Sequence, residues 1–128
     1  MENCIFCKII AGDIPSTKIY EDDHVLAFSD ISPATKGHTL LIPKKHCVDL
    51  FEMDSQLAAQ VFSVVPKVAQ LLKDTHNCQG LNLINNNGSL AGQCVFHYHL
   101  HLIPRYENDE FAEKFWQQYN TKTLPFTA

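Results

Sequence analysis

An α+β layer is the fold class this 128-residue chain predicts, on three observations. Short runs of period-two or β-branched residues recur between turn signals. One longer stretch carries apolar residues at helical spacing. The connections between the short runs are hairpin-like, which favours an antiparallel sheet with helices laid on it.

Taken in order, Cys4 to Ile10 reads as a short turn or helix ended by Ala11-Gly12-Asp13-Ile14-Pro15. Lys18 to Glu21 and Val25 to Asp30 read as strands around an Asp22-Asp23-His24 turn. Ser32 to Gly37 is a loop, and His38 to Pro43 is a third strand. The main helix opens at Asp54 or Ser55, either of which can cap it. Leu57, Val61, Val65, Val68 and Leu72 then fall on one face, and Pro66 predicts a kink near the middle. Leu81 to Asn86 and Val95 to Arg105 complete the sheet, joined by a loop holding Gly88 and Gly92.

The last strand carries His97, His99 and His101 at alternate positions. Residues two apart on a strand share a face, so the three rings are expected to line one surface. Phe96, Tyr98, Leu100 and Leu102 form an apolar opposite face suited to a core. The outer two Cα atoms lie roughly 13 Å apart on an extended strand, at about 3.3 Å per residue. Zinc needs its nitrogens about 2 Å away, so one ion could bridge two neighbouring rings but hardly the outer pair. The rings must divide labour along an elongated substrate, and a chain of phosphates is such a substrate. One imidazole can attack phosphorus while another donates hydrogen bonds or protons to the phosphate oxygens and leaving group.

Bulk properties narrow the class. At 45% hydrophobic residues the chain can bury one core, and one domain is expected. A net charge of −4 argues against a broad basic face for nucleic acid, though not against a small phosphate ligand. No apolar run is long enough for a membrane span, and Met1-Glu2-Asn3-Cys4 does not open a signal peptide. Five cysteines, two of them in Cys4-x-x-Cys7, then favour reduced thiols and a cytoplasmic setting. On spacing alone that pair fits buried apolar cysteines as well as it fits a metal site.

The run Gly92 to Arg105 resembles the signature of the histidine triad (HIT) family, His-φ-His-φ-His-φ-φ with φ hydrophobic. Cys4 to Ile10, Phe28 to Pro33, Gly37 to His46 and Asn85 to Gly88 match further family blocks in the same order. The resemblance covers residues 3–106, leaving 107–128 as a C-terminal tail, and is closest to small bacterial HIT hydrolases akin to the Hint branch. It implies a five-stranded antiparallel sheet with one long and several short helices, paired as a homodimer.

The resemblance also implies roles. His99 is the expected nucleophile, forming a covalent nucleotidyl-histidine that water hydrolyses. His101 is expected to hydrogen-bond the phosphate or leaving group, and His38 to sit beside the α-phosphate. Asp30 would accept both ribose hydroxyls, with Phe6, Ile10 and Ile31 making an apolar base slot. Asn86 would contact the phosphate or leaving group, and Gly92 and Gln93 would bring backbone N–H groups near it. His97 would edge the substrate site and also join Cys4, Cys7 and His46 in a structural zinc site. Asn85 and Asn87 read as turn formers, Lys44, Lys45 and Arg105 as solvated charges, and His24 and His76 receive no role.

Two features depart from the family pattern. Cys94 stands where serine or threonine is common, and a thiol is a weaker donor than a hydroxyl. The tail differs too, and tails decide substrate choice in this family. Its Phe111, Phe115, Trp116 and Tyr119 form an aromatic stripe suited to core or dimer packing. The expected activity is hydrolysis of purine nucleoside phosphoramidates or related α-substituted nucleoside monophosphates. A dinucleoside polyphosphate hydrolase of the Fhit kind is the alternative, as is a nucleotide-binding or interaction module with little turnover. A transferase is disfavoured because the last triad histidine, His101, is present.

Overall fold

The computed structural model describes residues 3–107 together with Asp109 and Phe111. The rest of the tail, with Phe115, Trp116 and Tyr119, lies outside the described residues. Helix α1 (Ile5–Ala11) precedes the hairpin β1 (Lys18–Glu21) and β2 (Val25–Ser29), then β3 (Thr39–Pro43). Helices α2 (Ser55–Phe62) and α3 (Val65–His76) follow, then β4 (Gly80–Ile84), a short 3-10 turn at Ser89–Ala91, and β5 (Leu100–Arg105). The strands form one sheet in the order β1-β2-β3-β5-β4, every neighbouring pair antiparallel.

The sheet is covered on both faces, which is why β2 and β3 are apolar at nearly every position. On one face Val25, Ala27, Leu41, Leu100 and Leu102 pack against the apolar stripe of α2 and α3. On the other, Leu26, Phe28, Leu40 and Ile42 pack against Phe6 and Ile9 of α1. By the register Leu40↔His101, His101 thus lies on this second face of the sheet, against which α1 packs.

Local chemistry sets the ends of these elements. Asp22 Oδ1 accepts from the backbone N–H groups of His24 and Val25, at 2.8 and 2.9 Å, closing the hairpin turn. Asp54 caps α2 by accepting from Leu57 N–H at 2.8 Å. Gly12 ends α1 in the left-handed region at φ +86°, where a side chain would be strained.

Two expectations need correction. The single long helix is two helices: Pro66 lacks an N–H and its ring would crowd the carbonyl four residues back, on Phe62. Residue Phe62 is accordingly the last of α2, and Pro66 sits in the first turn of α3, where no donor is required. The break shifts the phase of the apolar stripe, so Val64 is buried while Val65 is only partly so. The last strand also starts late. Regular pairing begins at Leu100, and Val95 to His97 bends. Tyr98 N–H donates to Cys47 O at 2.6 Å instead of joining a ladder. Tyr98, Leu100 and Leu102 reach the core as expected, but Phe96 is half exposed.

Gly37 packs against the ring of His76 at the end of α3. A Cβ there would lie 2.6 Å from His76 Cδ2, on a backbone already at φ +88°. Gly37→Ala is expected to destabilise the fold by about 1–3 kcal/mol, read from the urea midpoint. An unchanged midpoint would show that this turn is not held against α3.

Candidate active site

His99 is held by its own neighbour. Its Nδ1–H donates to the carbonyl of His97 at 2.8 Å, and this bond is buried. A carbonyl can only accept, so neutral His99 carries its proton on Nδ1 and keeps the Nε2 lone pair. Phe6 meets the ring edge-on, with centroids 5.2 Å apart, which sets its plane. Asn85 Nδ2 donates to the His99 carbonyl at 3.1 Å, so this asparagine positions the residue rather than merely forming a turn.

His38 and His101 form the second part. Ala34 N–H donates to His38 Nδ1 at 2.9 Å, and an amide cannot accept in return. Neutral His38 therefore has its proton on Nε2, which lies 2.9 Å from His101 Nδ1 and 3.5 Å from Asp30 Oδ2. His101 Nδ1 must then accept, and its proton resides on Nε2. Burial, then the neighbouring His99 and His38, hold the His101 ring down at about 4, with Asp30 opposing. Burial lowers His38 as well, again with Asp30 opposing. Asp30, His38 and His101 are close enough to grip a cation. The Ala34 amide opposes that, because metal on His38 Nε2 would move a proton onto Nδ1.

A cavity of about 800 Å³ opens beside these groups. His99 and His101 line it with Asp30, Asn86, Gly92 and Cys94, and Phe6 and Ile31 stand on its apolar side. Ile31 is 95% exposed, so a ligand that covered it would bury new apolar surface. The helix face of α1 supplies Ile9 rather than Ile10, and Ile14 follows it. Helical spacing from Phe6 places both Ile9 and Ile10 near its face, so only the fold selects Ile9 for the cavity. Cys94 is exposed, with its thiol 3.6 Å from the Gly92 carbonyl.

The loop before the triad serves another purpose than expected. Gly92 N–H donates to Ser89 O and Gln93 N–H to Gly88 O, both at 3.0 Å, so neither amide is directed at the cavity. Gln93 is instead a buried staple. Its side chain accepts from Gly88 N–H at 2.7 Å and donates to the carbonyls of Val48 and Val95 at 2.7 and 3.0 Å. Lys44 pairs with Glu21 and Arg105 with Asp109, both within 2.9 Å, which leaves them structural tasks.

His97 belongs to a different cluster. It is fully buried and does not line the cavity. Its Nε2–H donates to Pro43 O at 2.8 Å, so Nδ1 keeps a lone pair for a metal. That Nδ1 lies 3.3 Å from Cys4 Sγ and 3.5 Å from Cys7 Sγ, and His46 Nδ1 lies 3.4 Å from Cys7 Sγ. Zinc with bonds of about 2.0 Å to nitrogen and 2.3 Å to sulfur would space its ligands about 3.5 Å apart. These three spacings suit tetrahedral zinc, and all four donor atoms lie within 4.8 Å of one another.

A HIT domain matches residues 11–108, most of the chain. The chain belongs to the HIT domain family. Protein hit of Bacillus subtilis (strain 168) is 59% identical over 116 residues, covering 91% of this chain and 80% of that protein. Adenylylsulfatase HINT3 of Arabidopsis thaliana is 43% identical over 107 residues, covering 84% of this chain and 54% of that protein. A zinc-bound histidine triad family protein from Mycobacterium smegmatis superimposes with a TM-score of 0.79 at 41% identity, covering 85% of this chain and 79% of that one. The five-stranded antiparallel sheet with helices is therefore the HIT fold.

The His101 geometry has a pH signature. Its ring charges near pH 4 in the folded state, against about 6.5 when unfolded. Between those values the unfolded chain binds more protons, so His101 stabilises the fold above pH about 6.5 and that contribution is lost as pH falls towards 4. NMR is expected to find His101 still neutral at pH about 5.5, with its proton on Nε2. A ring titrating near its ordinary value would contradict this burial.

Proposed function

We propose that the chain is a nucleotide hydrolase acting on purine nucleoside phosphoramidates or related α-substituted nucleoside monophosphates. The observation that carries this reading is the His99 arrangement. Its Nδ1–H is anchored at 2.8 Å on a backbone carbonyl, and its ring lines a cavity shared with Asp30 and His101. The base lies against Phe6 and Ile31, and the ribose hydroxyls donate to Asp30. Asp30 Oδ1 already accepts from Ser32 N–H at 2.8 Å, which orients the carboxylate.

His99 Nε2 attacks the α-phosphorus. As the new bond forms, positive charge develops on the imidazole and the Nδ1–H bond to the His97 carbonyl strengthens. The bond from phosphorus to the leaving group breaks on the opposite side. His101 Nε2–H donates to the leaving group and passes it a proton as it departs, a proton that the attacking water later returns to His101. Asn86 and Cys94 lie along the same wall. Water then displaces His99 from phosphorus and releases the nucleoside monophosphate.

Adenylyl sulfate is one α-substituted nucleoside monophosphate, and the name of the plant relative favours that class. We read the Cys4, Cys7, His46 and His97 cluster as a zinc site. When bound, zinc supplies a structural clip between α1 and the end of β3, leaving no coordination position open for chemistry. We read the protein as one domain over residues 1–128 that works as a cytoplasmic homodimer. Among the described residues no helix is long and apolar enough to cross a membrane.

His99→Ala is expected to lower turnover of an adenosine phosphoramidate by at least about a thousandfold, with AMP binding retained in calorimetry. Wild-type enzyme quenched rapidly in alkaline denaturant, where a phosphorus–imidazole bond survives, should carry nucleotide on His99, detected by peptide mass. Full activity in the variant would overturn the covalent step. For the metal, protein purified without added zinc is expected to hold one equivalent, and Cys7→Ala to hold none by elemental analysis. Chelation should lower the melting temperature and zinc should restore it. Metal-free wild-type protein with intact thiols would refute the site.

A further inference from the structure

The loop between β2 and β3 does more than connect them. Thr35 is buried, and its hydroxyl donates to the carbonyl of Pro104 on β5 at 2.6 Å. The Thr35 carbonyl accepts from His38 N–H at 3.1 Å, and the amide of its neighbour Ala34 donates to His38 Nδ1 at 2.9 Å. Residues 34 and 35 therefore wrap the ring and backbone of one histidine. Thr35 ties that wrap to the strand that bears His101.

The regular β3–β5 pairing stops at Thr39↔Leu102. Beyond it, the turn meets neighbouring elements through side chains: Thr35 to Pro104 O, Tyr106 hydroxyl to Lys36 O at 2.6 Å, and Gly37 against His76. Of these, Thr35 is adjacent to the amide that selects the His38 tautomer. Imidazole tautomers are set by the bond the other nitrogen makes. The order of donors runs from Ala34 N–H to His38 Nδ1, then from His38 Nε2–H to His101 Nδ1, leaving the His101 proton on Nε2 beside the cavity.

We propose that Thr35 is a positioning residue that acts through His38. By tying the turn to β5 it holds the Ala34 amide on His38 Nδ1, and thereby sets which nitrogen of His101 carries the proton. Without the hydroxyl, the Pro104 carbonyl loses its buried donor and the turn can move off β5. His38 can then take the other tautomer, and His101 no longer has a fixed donor to present. This inference rests on the hydrolase reading for its consequence, but the tautomers exist without substrate.

The test compares Thr35→Val and Thr35→Ser with the wild-type chain by long-range nitrogen–proton NMR of the imidazoles and by steady-state kinetics with an adenosine phosphoramidate. In wild type, His38 and His101 should both carry the proton on Nε2. In Thr35→Val the His38 pattern should become mixed, with kcat down about tenfold or more and KM within about twofold. Thr35→Ser, which keeps the hydroxyl, should recover the wild-type pattern and most of kcat. The inference is overturned if wild-type His38 carries its proton on Nδ1, whatever the variants do. It is equally overturned if a folded Thr35→Val retains the wild-type nitrogen pattern, even with a lower melting temperature. A wild-type chain that turns over no nucleotide would sink the hydrolase reading alone, since the NMR comparison needs no substrate.

Discussion

The carbonyl oxygen of His97 holds the Nδ1–H of His99, while the ring of the same residue reaches the other way, between two thiols and the Pro43 carbonyl. One buried residue thus joins the N-terminal helix, the end of β3 and the His99 imidazole. Its side chain has no spare nitrogen for substrate, because Nε2 donates to Pro43 and Nδ1 faces sulfur. The Cys4, Cys7, His46 and His97 cluster and the cavity that His99 lines are linked through the backbone of this residue.

Burial gives the histidines their separate characters. Burial first of all pushes His97 and His101 down to about 4, so both are neutral near pH 7. For His97 neutrality frees a lone pair towards the thiols. For His101 it allows one nitrogen to accept from His38 while the other donates. Identical side chains four residues apart acquire different tasks because their second nitrogens meet different partners. A net contribution of about 1 kcal/mol for such a hydrogen bond is modest in stability, yet it settles which nitrogen faces the cavity.

Much of this was legible in the chain. Alternation around His97, His99 and His101 predicted rings on one side and apolar residues on the other, and both Phe6–His97 and Phe6–His99 ring contacts fall on the α1 face. Asp54, Gly12 and Asp22 signalled their caps and turn because those effects are local. Pro66 signalled a disturbance but not a full break, since its outcome depends on whether packing rewards a continued helix. The tasks of Gln93 and Asn85 were not legible. Gln93 was expected to offer its backbone N–H to phosphate and Asn85 to form a turn. Their side-chain amides gain other roles only once the carbonyls of Val48, Val95 and His99 lie within reach. Phe96 fits an apolar stripe on paper, but the bend at Val95 to His97 turns it outward.

Residue type, spacing and local backbone preference by themselves signalled the strands, the caps and the alternating row of histidines, whereas the Cys4, Cys7, His46 and His97 set came only with the family resemblance. These depend on neighbours a few positions away or on a run of matched blocks. Only the tertiary structure decided the direction of each hydrogen bond. Ala34 and His38, Thr35 and Pro104, and His97 and Pro43 meet because the chain folds back on itself, and an imidazole does not carry a preferred tautomer until a partner is placed beside it.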